Sequence, residues 1–345
     1  MITFHNPFHQ GHAPVHEFFR GERVPCFEKP ARVDYVEEAL RARGHGLMAP
    51  DVDSAPVLSQ VHAPRYLAFL QTAWQHWLAL DPANAGVQPF PSVWSVRTLR
   101  SDLEPENFVA RLGLYSMDNG TPMASGTWAA AKAGADAAAS AATLVAQGAR
   151  AAFCCTRPPG HHAGPDFMGG YCFLNNAAVA AQALRNQGAQ RVALLDVDYH
   201  HGNGTQSIFY DRADVLFISI HGDPRTEYPF YLGHADETGV GEGAGFNLNL
   251  PLPAGTSATT WFDALESACA RIASQGADAL VVSLGLDTFE GDPISKFALA
   301  SADFTRVGER LARAGLPTVF VLEGGYAAAE LGTNAVNVLD GFEQV

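Results

Sequence analysis

Short apolar runs alternate with helical segments over the second half of the chain. Each run is continuously apolar, which is typical of a strand that is buried on both faces of a sheet. The runs lie at Ala151–Cys155, 191–196, 215–220, Ala279–Leu284 and Thr318–Leu322. The segments beside them predict helices at 127–147, 175–187, 259–275 and 301–314. This alternation predicts an α/β fold, a mostly parallel sheet with helices on both faces.

Residues 1–125 show a weaker pattern. It predicts helices near 32–43 and 63–79, followed by a loop-like segment with several prolines at 81–125. A long irregular segment in a compact chain is usually functional or lies at an interface. Neither an internal repeat nor a linker is evident, so we predict a single domain over residues 1–345.

Composition and charge narrow the function. The chain has 345 residues, 47% of them hydrophobic, and its 22 basic and 36 acidic residues give a net charge of -14. This charge argues against a nucleic-acid partner and is compatible with a cationic substrate. No stretch approaches the ~20 apolar residues of a membrane span, and the N-terminus does not resemble a secretory signal. The 5 cysteines form no CxxC pair, which predicts a reducing cytoplasm and no thiolate metal site.

Ionisable or tyrosyl side chains follow four of the apolar runs. In an open α/β sheet, ligands bind beyond the carboxyl ends of the strands. We therefore expect these side chains to converge on one crevice. They are His161 and His162, then Asp196, Asp198 and His200, then Asp287, and finally Glu323 and Tyr326.

Three of these residues predict a metal site. Asp198 and His200 are two residues apart, which places both side chains on one face of an extended chain. With Asp287 they form a set of three ligands with an open position, as in catalytic zinc sites. Oxygen and nitrogen ligands also suit Fe(II), Co(II) or Mn(II). A lone Asp after a strand is usually a helix cap, so the prediction depends on the set as a whole.

Five sequence motifs resemble those of the histone deacetylase superfamily, whose members have the arginase/deacetylase fold. The similarity covers roughly residues 125–345. Asp-Pro-Ile-Ser at 292–295 and the long segment 81–125 are similar to bacterial acetylpolyamine amidohydrolases. The five motifs are Arg-Pro-Pro-Gly-His-His-Ala at 157–163, Gly-Gly-Tyr-Cys-Phe-Leu-Asn-Asn-Ala-Ala at 169–178, Asp-Val-Asp-Tyr-His-His-Gly-Asn-Gly-Thr-Gln at 196–206, Leu-Gly-Leu-Asp-Thr-Phe at 284–289 and Glu-Gly-Gly-Tyr at 323–326.

The resemblance implies catalytic roles. It makes Asp198, His200 and Asp287 zinc ligands, and it makes Tyr326 the donor of a hydrogen bond to the substrate carbonyl. His161 and His162 match the tandem histidines, with His162 as the general base. Asp196 would orient His161, and Asn203 would face His162 at a position where some relatives carry Asp.

The resemblance also implies binding roles. Gly170, Tyr171 and Tyr228 match the substrate tunnel, and Glu17 matches an acid at the cleft mouth that meets a distal ammonium group. A structural K⁺ or Na⁺ would bind Asp196 and Ser219, together with backbone carbonyls near Asp198, His200 and Ile220. Segment 81–125 would form a homodimer interface and narrow the cleft mouth, with acids at Asp102, Glu104, Glu106 and Asp118.

These features predict a zinc-dependent amidohydrolase that removes acetyl groups from polyamines or small diamines by attack of a metal-activated water. The alternatives are a deacetylase of acetyl-lysine or another acylated amine, and, from a different class, an inactive module that binds acylated amines. An arginase-like ureohydrolase is disfavoured, because it needs a binuclear manganese site. Cys172 is predicted to be structural. The N-terminal histidines predict a polar loop at the cleft rim rather than a second metal site: His5, His9, His12 and His16.

Overall fold

The structure, a computed structural model, describes residues 1–93 and 100–345. The intervening residues of the predicted segment 81–125 lie outside the described residues. The strands are β1 Ile2–His5, β2 His16–Phe19, β3 Glu22–Pro25, β4 Gly46–Met48, β5 Ala151–Cys155, β6 Val192–Asp196, β7 Val215–Gly222, β8 Asn247–Leu252, β9 Ala279–Leu284 and β10 Thr318–Leu322. The helices are α1 Ala31–Ala42, α2 Ala55–Val61, α3 Pro64–Leu80, α4 Phe108–Leu114, α5 Thr127–Ala146, α6 Asn176–Asn186, α7 Asn203–Phe209, α8 Ala258–Gln275, α9 Ser301–Ala312 and α10 Ala328–Gln344.

Among the described residues, eight strands form one parallel sheet in the order β4-β1-β5-β10-β9-β6-β7-β8. Strands β2 and β3 form a separate antiparallel hairpin. The predicted fold class, a mostly parallel sheet flanked by helices, is confirmed. Each of the six predicted helices ends within two residues of its expected bounds. No helix in the described ranges is long and apolar enough to cross a membrane.

The sheet separates two apolar cores. In β5, Ala152 and Cys154 belong to the core that packs against α5 and α6. Phe153 and Cys155 point the other way, into the core formed with α1, α8, α9 and α10. This alternation follows from the two-residue period of a strand, and both faces are apolar because both are covered.

The edges of the sheet differ from the prediction. Strands β1, β4 and β8 were not predicted because they lack a continuous apolar run. Strand β8 reads Asn-Leu-Asn-Leu-Pro-Leu, and its proline is tolerated because β8 is an edge strand. Segment 81–125 is not loop-like throughout, since α4 buries Phe108 against Phe69 of α3, with ring centroids 6.3 Å apart.

The four strands that carry the predicted chemistry lie side by side. Their order in the sheet is β5-β10-β9-β6, and they run parallel. The loops that follow them therefore leave the same edge next to one another. This adjacency brings together residues that are separated by up to 165 positions, from His161 to Tyr326.

Candidate metal and catalytic site

Asp198, His200 and Asp287 form a compact ligand cluster. One ligand atom from each residue lies within 4.8 Å of the other two. His200 Nδ1 is 3.3 Å from Asp198 Oδ1 and 3.0 Å from Asp287 Oδ2. Both carboxylates are completely buried. Two buried carboxylates and one imidazole in this arrangement fit a divalent cation.

The pKa shifts of the ligand residues also indicate that the cluster favours a bound positive charge. Burial and the neighbouring Asp198 carboxylate raise the pKa of Asp287 to about 7. Burial opposes charge on the His200 ring, yet its bonds to Asp198 and Asp287 raise the pKa of His200 to about 10. Backbone amides fix the carboxylates: Gly324 N donates to Asp198 Oδ2 and Tyr199 N to Asp287 Oδ1, each at 2.8 Å.

His161 contacts a buried carboxylate. Its Nδ1 lies 2.9 Å from Asp196 Oδ2. Burial opposes protonation, but the Asp196 and Asp198 carboxylates raise the pKa of His161 to about 10. Asp196 also accepts a hydrogen bond from Asp198 N through Oδ1, at 3.0 Å. The contact with Asp196 therefore orients His161 and favours its protonated form.

His162 has the opposite protonation preference. Its Nδ1 lies 2.7 Å from Asn203 Oδ1, and Asn203 Nδ2 contacts Met117 Sδ at 3.1 Å. Burial and the charges of His161 and His200 place the pKa of His162 well below its usual range. A neutral ring that donates from Nδ1 to the Asn203 oxygen leaves Nε2 with a free lone pair. His162 lines the cleft, so its neutral ring can serve as a proton acceptor there.

Glu323 supports the loop that carries both histidines. Its carboxylate accepts hydrogen bonds from Gly160 N at 2.6 Å and from His161 N at 3.1 Å. Burial raises the pKa of Glu323 to about 7. Cys172 lies beside it, but its buried thiol donates to Gly170 O and burial holds the thiol pKa well above its usual range. Ligand atoms of Cys172, His161 and Glu323 lie within 4.8 Å of one another, and the structural role of Cys172 stays a prediction.

Tyr326 follows a glycine pair that passes close to the metal ligands. A Cβ on Gly324 would lie 2.6 Å from carboxylate oxygens of both Asp198 and Asp287, so only glycine fits. Tyr326 N donates to Asp292 Oδ2 at 2.7 Å, which fixes the backbone where the ring enters the cleft.

A buried charge cluster connects the tyrosine loop to the histidine loop. Arg32 donates to the carbonyls of Glu323 and Gly325, and its guanidinium lies 4.8 Å from the Tyr326 ring centroid. Glu28 accepts from Arg32 at 3.0 Å and from Arg157, the first residue of the histidine motif, at 2.7 Å. None of these three residues was predicted from the sequence to belong to the site. The i,i+4 spacing of Glu28 and Arg32 was the available signal.

His161, His162, His200 and Tyr326 line a cleft of about 930 Å³. Tyr171 and Tyr228 form part of its walls. Gly170 has a φ of 52°, and a Cβ there would lie 2.2 Å from the His162 ring. Asp118 accepts hydrogen bonds from Gly170 N and from the Tyr228 hydroxyl, both at 2.7 Å. The channel wall is therefore fixed by one carboxylate from segment 81–125.

The comparisons with known proteins agree with this geometry. The family model for the histone deacetylase domain matches residues 26–342 of this chain. The chain is 53% identical to acetylpolyamine amidohydrolase 2 of Pseudomonas aeruginosa, over 100% of this chain and 99% of that protein. The chain belongs to the histone deacetylase family. It is also 46% identical to an acetylpolyamine amidohydrolase of Mycoplana ramosa, over 94% of both chains. A crystal structure of acetylpolyamine aminohydrolase from Burkholderia pseudomallei has a TM-score of 0.94 at 41% identity, covering 99% of this chain and 98% of that chain.

Glu17 departs from the expectation for this deacetylase-family chain. It does not lie at a solvated mouth: it is 1% exposed and does not line the cleft. The Tyr171 hydroxyl donates to Glu17 Oε1 at 2.8 Å, and Phe27 N donates to Oε2 at 3.0 Å. Burial raises the pKa of Glu17 to about 7. Glu17 therefore stands behind the aromatic wall and orients Tyr171.

Three of the four predicted acids of segment 81–125 lie away from the cleft lining. Asp102 pairs with Arg100 in solvent, and Glu104 accepts from the Tyr115 hydroxyl at 2.8 Å. Glu106 is exposed. Of the four predicted acids, Asp118 alone lines the cleft within the described residues.

The prediction of a polar N-terminal histidine loop at the rim is wrong. His9 and His12 are buried, and neither His5 nor His16 lines the cleft. His12 Nδ1 contacts Thr127 Oγ1 at 2.8 Å, and burial lowers the pKa of His12 to about 3. Within the described ranges, none of the four histidines joins a group that could hold a metal.

Asp196 and Ser219, the predicted ligands of a monovalent cation, are direct partners across β6 and β7. Both side chains are completely buried. Ser219 Oγ lies 2.8 Å from His221 Nδ1, and Asp196 is shared between His161 and Asp198 N. The two residues are thus adjacent, and Asp196 contacts the backbone of the ligand residue Asp198.

Proposed function

We propose that this chain is a metal-dependent amidohydrolase that removes acetyl groups from acetylated polyamines or small diamines. The observation that carries the proposal is the position of the ligand cluster: its member His200 lines one aromatic cleft together with His162 and Tyr326. The names of the acetylpolyamine amidohydrolases to which it is similar support the choice of substrate.

Asp198, His200 and Asp287 would hold the divalent ion, which we propose to be zinc. The same oxygen and nitrogen donors suit iron, cobalt or manganese. When bound, the ion would supply a Lewis acid that polarises the acetyl carbonyl and lowers the pKa of a water molecule. We further propose that Asp196 and Ser219, with nearby backbone carbonyls, hold K⁺ or Na⁺.

The side chains of the cleft divide the proton transfers. His162 accepts the proton of the attacking water on Nε2 and returns a proton to the departing amine. His161 stays protonated beside Asp196 and stabilises negative charge that develops next to it. Tyr326 donates a hydrogen bond from its hydroxyl to the carbonyl oxygen, and the Tyr171 and Tyr228 rings exclude water from the acyl chain.

We also propose that the protein is located in a reducing cytoplasm. Its five buried free cysteines support this location.

A substrate panel tests the proposal. With metal-loaded enzyme, we expect kcat/KM for acetylated putrescine, cadaverine or spermidine to exceed that for an acetyl-lysine peptide by about tenfold or more, because an aromatic cleft whose mouth the proposed dimer narrows admits a flexible amine more easily than a protein surface. An acetylated histone tail that exceeded every acetylated amine would leave a metallodeacetylase but end the polyamine assignment. Tight binding of all of them without turnover would instead indicate the inactive binding module.

We also propose a homodimer that uses segment 81–125. The described part of this segment exposes apolar side chains, with Val87 52%, Leu103 63% and Val109 41% exposed. We expect light scattering to give a dimer at micromolar concentration, and Leu103→Asp to weaken it by about tenfold or more, as for a central interface residue. Val240→Asp is the control, since Val240 is 51% exposed outside the segment. A monomeric unaltered chain would contradict the proposal.

A further inference from the structure

The β2–β3 hairpin reaches the mouth of the cleft. Its two turn residues, Arg20 and Gly21, have φ values of 53° and 86°, as in the two-residue turns that connect twisted strands. Both residues line the cleft, together with Phe18 and Phe19 from the end of β2. The hairpin therefore supplies a short stretch of the rim, with a cationic side chain at its tip.

Contacts with the rest of the chain hold the hairpin in position. Phe18 packs edge-to-face on Phe90, with ring centroids 4.8 Å apart. Gln88 Oε1 accepts hydrogen bonds from Val15 N at 2.8 Å and from His16 N at 3.1 Å. Because its base is fixed in this way, the hairpin keeps Arg20 at the rim.

Arg20 brings an uncompensated positive charge to this rim. Its side chain is exposed, and its guanidinium carbon lies 5.1 Å from the Phe19 ring centroid. Within residues 1–93 and 100–345, the two carboxylates that line the cleft, Asp118 and Glu227, bind other groups and form no ion pair with Arg20. Stacking on Phe19 limits the directions in which the guanidinium can turn away from the cleft.

The acidic groups of the cleft already have partners. Asp118 accepts from three donors, namely Gly120 N and the two wall groups, Gly170 N and the Tyr228 hydroxyl. Glu227 is 6% exposed and forms an ion pair with Lys296. Both carboxylates of the described lining thus have partners within the protein, whereas the Arg20 guanidinium at the mouth has no carboxylate partner among the described residues.

We propose that Arg20 is a specificity-determining residue that disfavours acetylated amines with more than one free ammonium group. This inference rests on the proposed function. A monoacetylated diamine carries one ammonium group, which can lie against the aromatic wall inside the channel. A monoacetylated triamine or tetraamine places a further ammonium group at the mouth, where Arg20 repels it. The net charge of -14 attracts every polycation, and Arg20 selects among them locally.

The test compares Arg20→Glu with Arg23→Glu. Both variants change the net charge of the same hairpin equally, but Arg23 does not line the cleft, and its Nη2 lies 3.1 Å from His16 Nδ1. The probes are N-butylacetamide, N-acetylputrescine, N8-acetylspermidine and N1-acetylspermine, in order of rising charge. We expect Arg20→Glu to raise kcat/KM for acetylspermine relative to N-butylacetamide by about tenfold, with a smaller rise for acetylspermidine. Arg20→Gln should give an intermediate rise, and 0.5 M salt should remove most of the difference, because screening acts within about 3–10 Å.

Equal charge dependence in the Arg20 and Arg23 variants would overturn the proposal, because bulk charge would then explain it. If Arg20→Glu changed kcat/KM for the neutral N-butylacetamide as much as for acetylspermine, the proposal would also be overturned. Failure of the proposed function looks different, since the unaltered enzyme would then hydrolyse none of the four amides. Dissociation constants from calorimetry, measured with the same amines, give the Arg20 comparison without any turnover.

Discussion

Removing the divalent metal is expected to reduce turnover to background, and adding back zinc or cobalt is expected to restore it. The physical reason is the donor set, because Asp198 and Asp287 are completely buried and share one small volume with His200. Without an ion, no other group described in the cleft can polarise the amide carbonyl to the same extent. Metal analysis should give one ion per chain in the active protein.

Conservative variants distinguish the loss of a metal ligand from a general loss of fold stability. Asp287→Asn keeps the size of the side chain and removes one charge, so metal content and activity should both fall, activity by on the order of 100-fold. Asp303→Asn is the control, because Asp303 caps α9 by accepting from Ala300 N and pairs with Arg306 away from the cleft. Full activity in protein verified to be free of metal would contradict the prediction.

The centre of the sheet was predictable because burial on both faces leaves a direct record in the sequence. The runs at Ala151–Cys155, Ala279–Leu284 and Thr318–Leu322 are strands with the predicted bounds. The residues that follow a parallel strand must leave its carboxyl end, so the position of His161, Asp287 and Tyr326 at one edge followed from the strand predictions alone.

The edges and the charge cluster were not predictable in the same way. Strands β1 and β4 have four and three residues, too short for a periodic pattern. The contact between Glu28 and Arg157 joins positions 129 residues apart, and nothing in either local sequence requires it. Such pairs are fixed by how the loops pack above the sheet.

Glu17 and Arg20 show how a single hairpin can reverse an expectation. The two residues are three positions apart, and the sequence favoured the acid as the group at the mouth. In the hairpin, Glu17 faces inward onto the Tyr171 hydroxyl, whereas Arg20 occupies the turn and lines the cleft. The strand period of two and the position of the turn decide which charge the substrate meets.

Replacing Tyr326 by phenylalanine is expected to lower kcat by on the order of 100-fold or more, with a much smaller change in KM. The hydroxyl is the only group lost, so the contacts that position the loop remain: Tyr326 N on Asp292 and the Arg32 guanidinium against the ring. The bond to the carbonyl oxygen strengthens as negative charge develops there, which is why the loss falls on kcat.

Tyr115→Phe provides the matched control for this measurement. The Tyr115 hydroxyl donates to Glu104 at 2.8 Å, outside the cleft, so its loss should reduce the free energy of unfolding by about 1 kcal/mol and leave kcat unchanged. Tyr326→Phe should show the reverse, with normal thermal unfolding and normal metal content but slow turnover. A Tyr326→Phe enzyme with near-normal kcat would show that the carbonyl receives its hydrogen bond from another group. Slow turnover accompanied by loss of metal would instead assign Tyr326 a structural role in holding Gly324 against the Asp198 carboxylate.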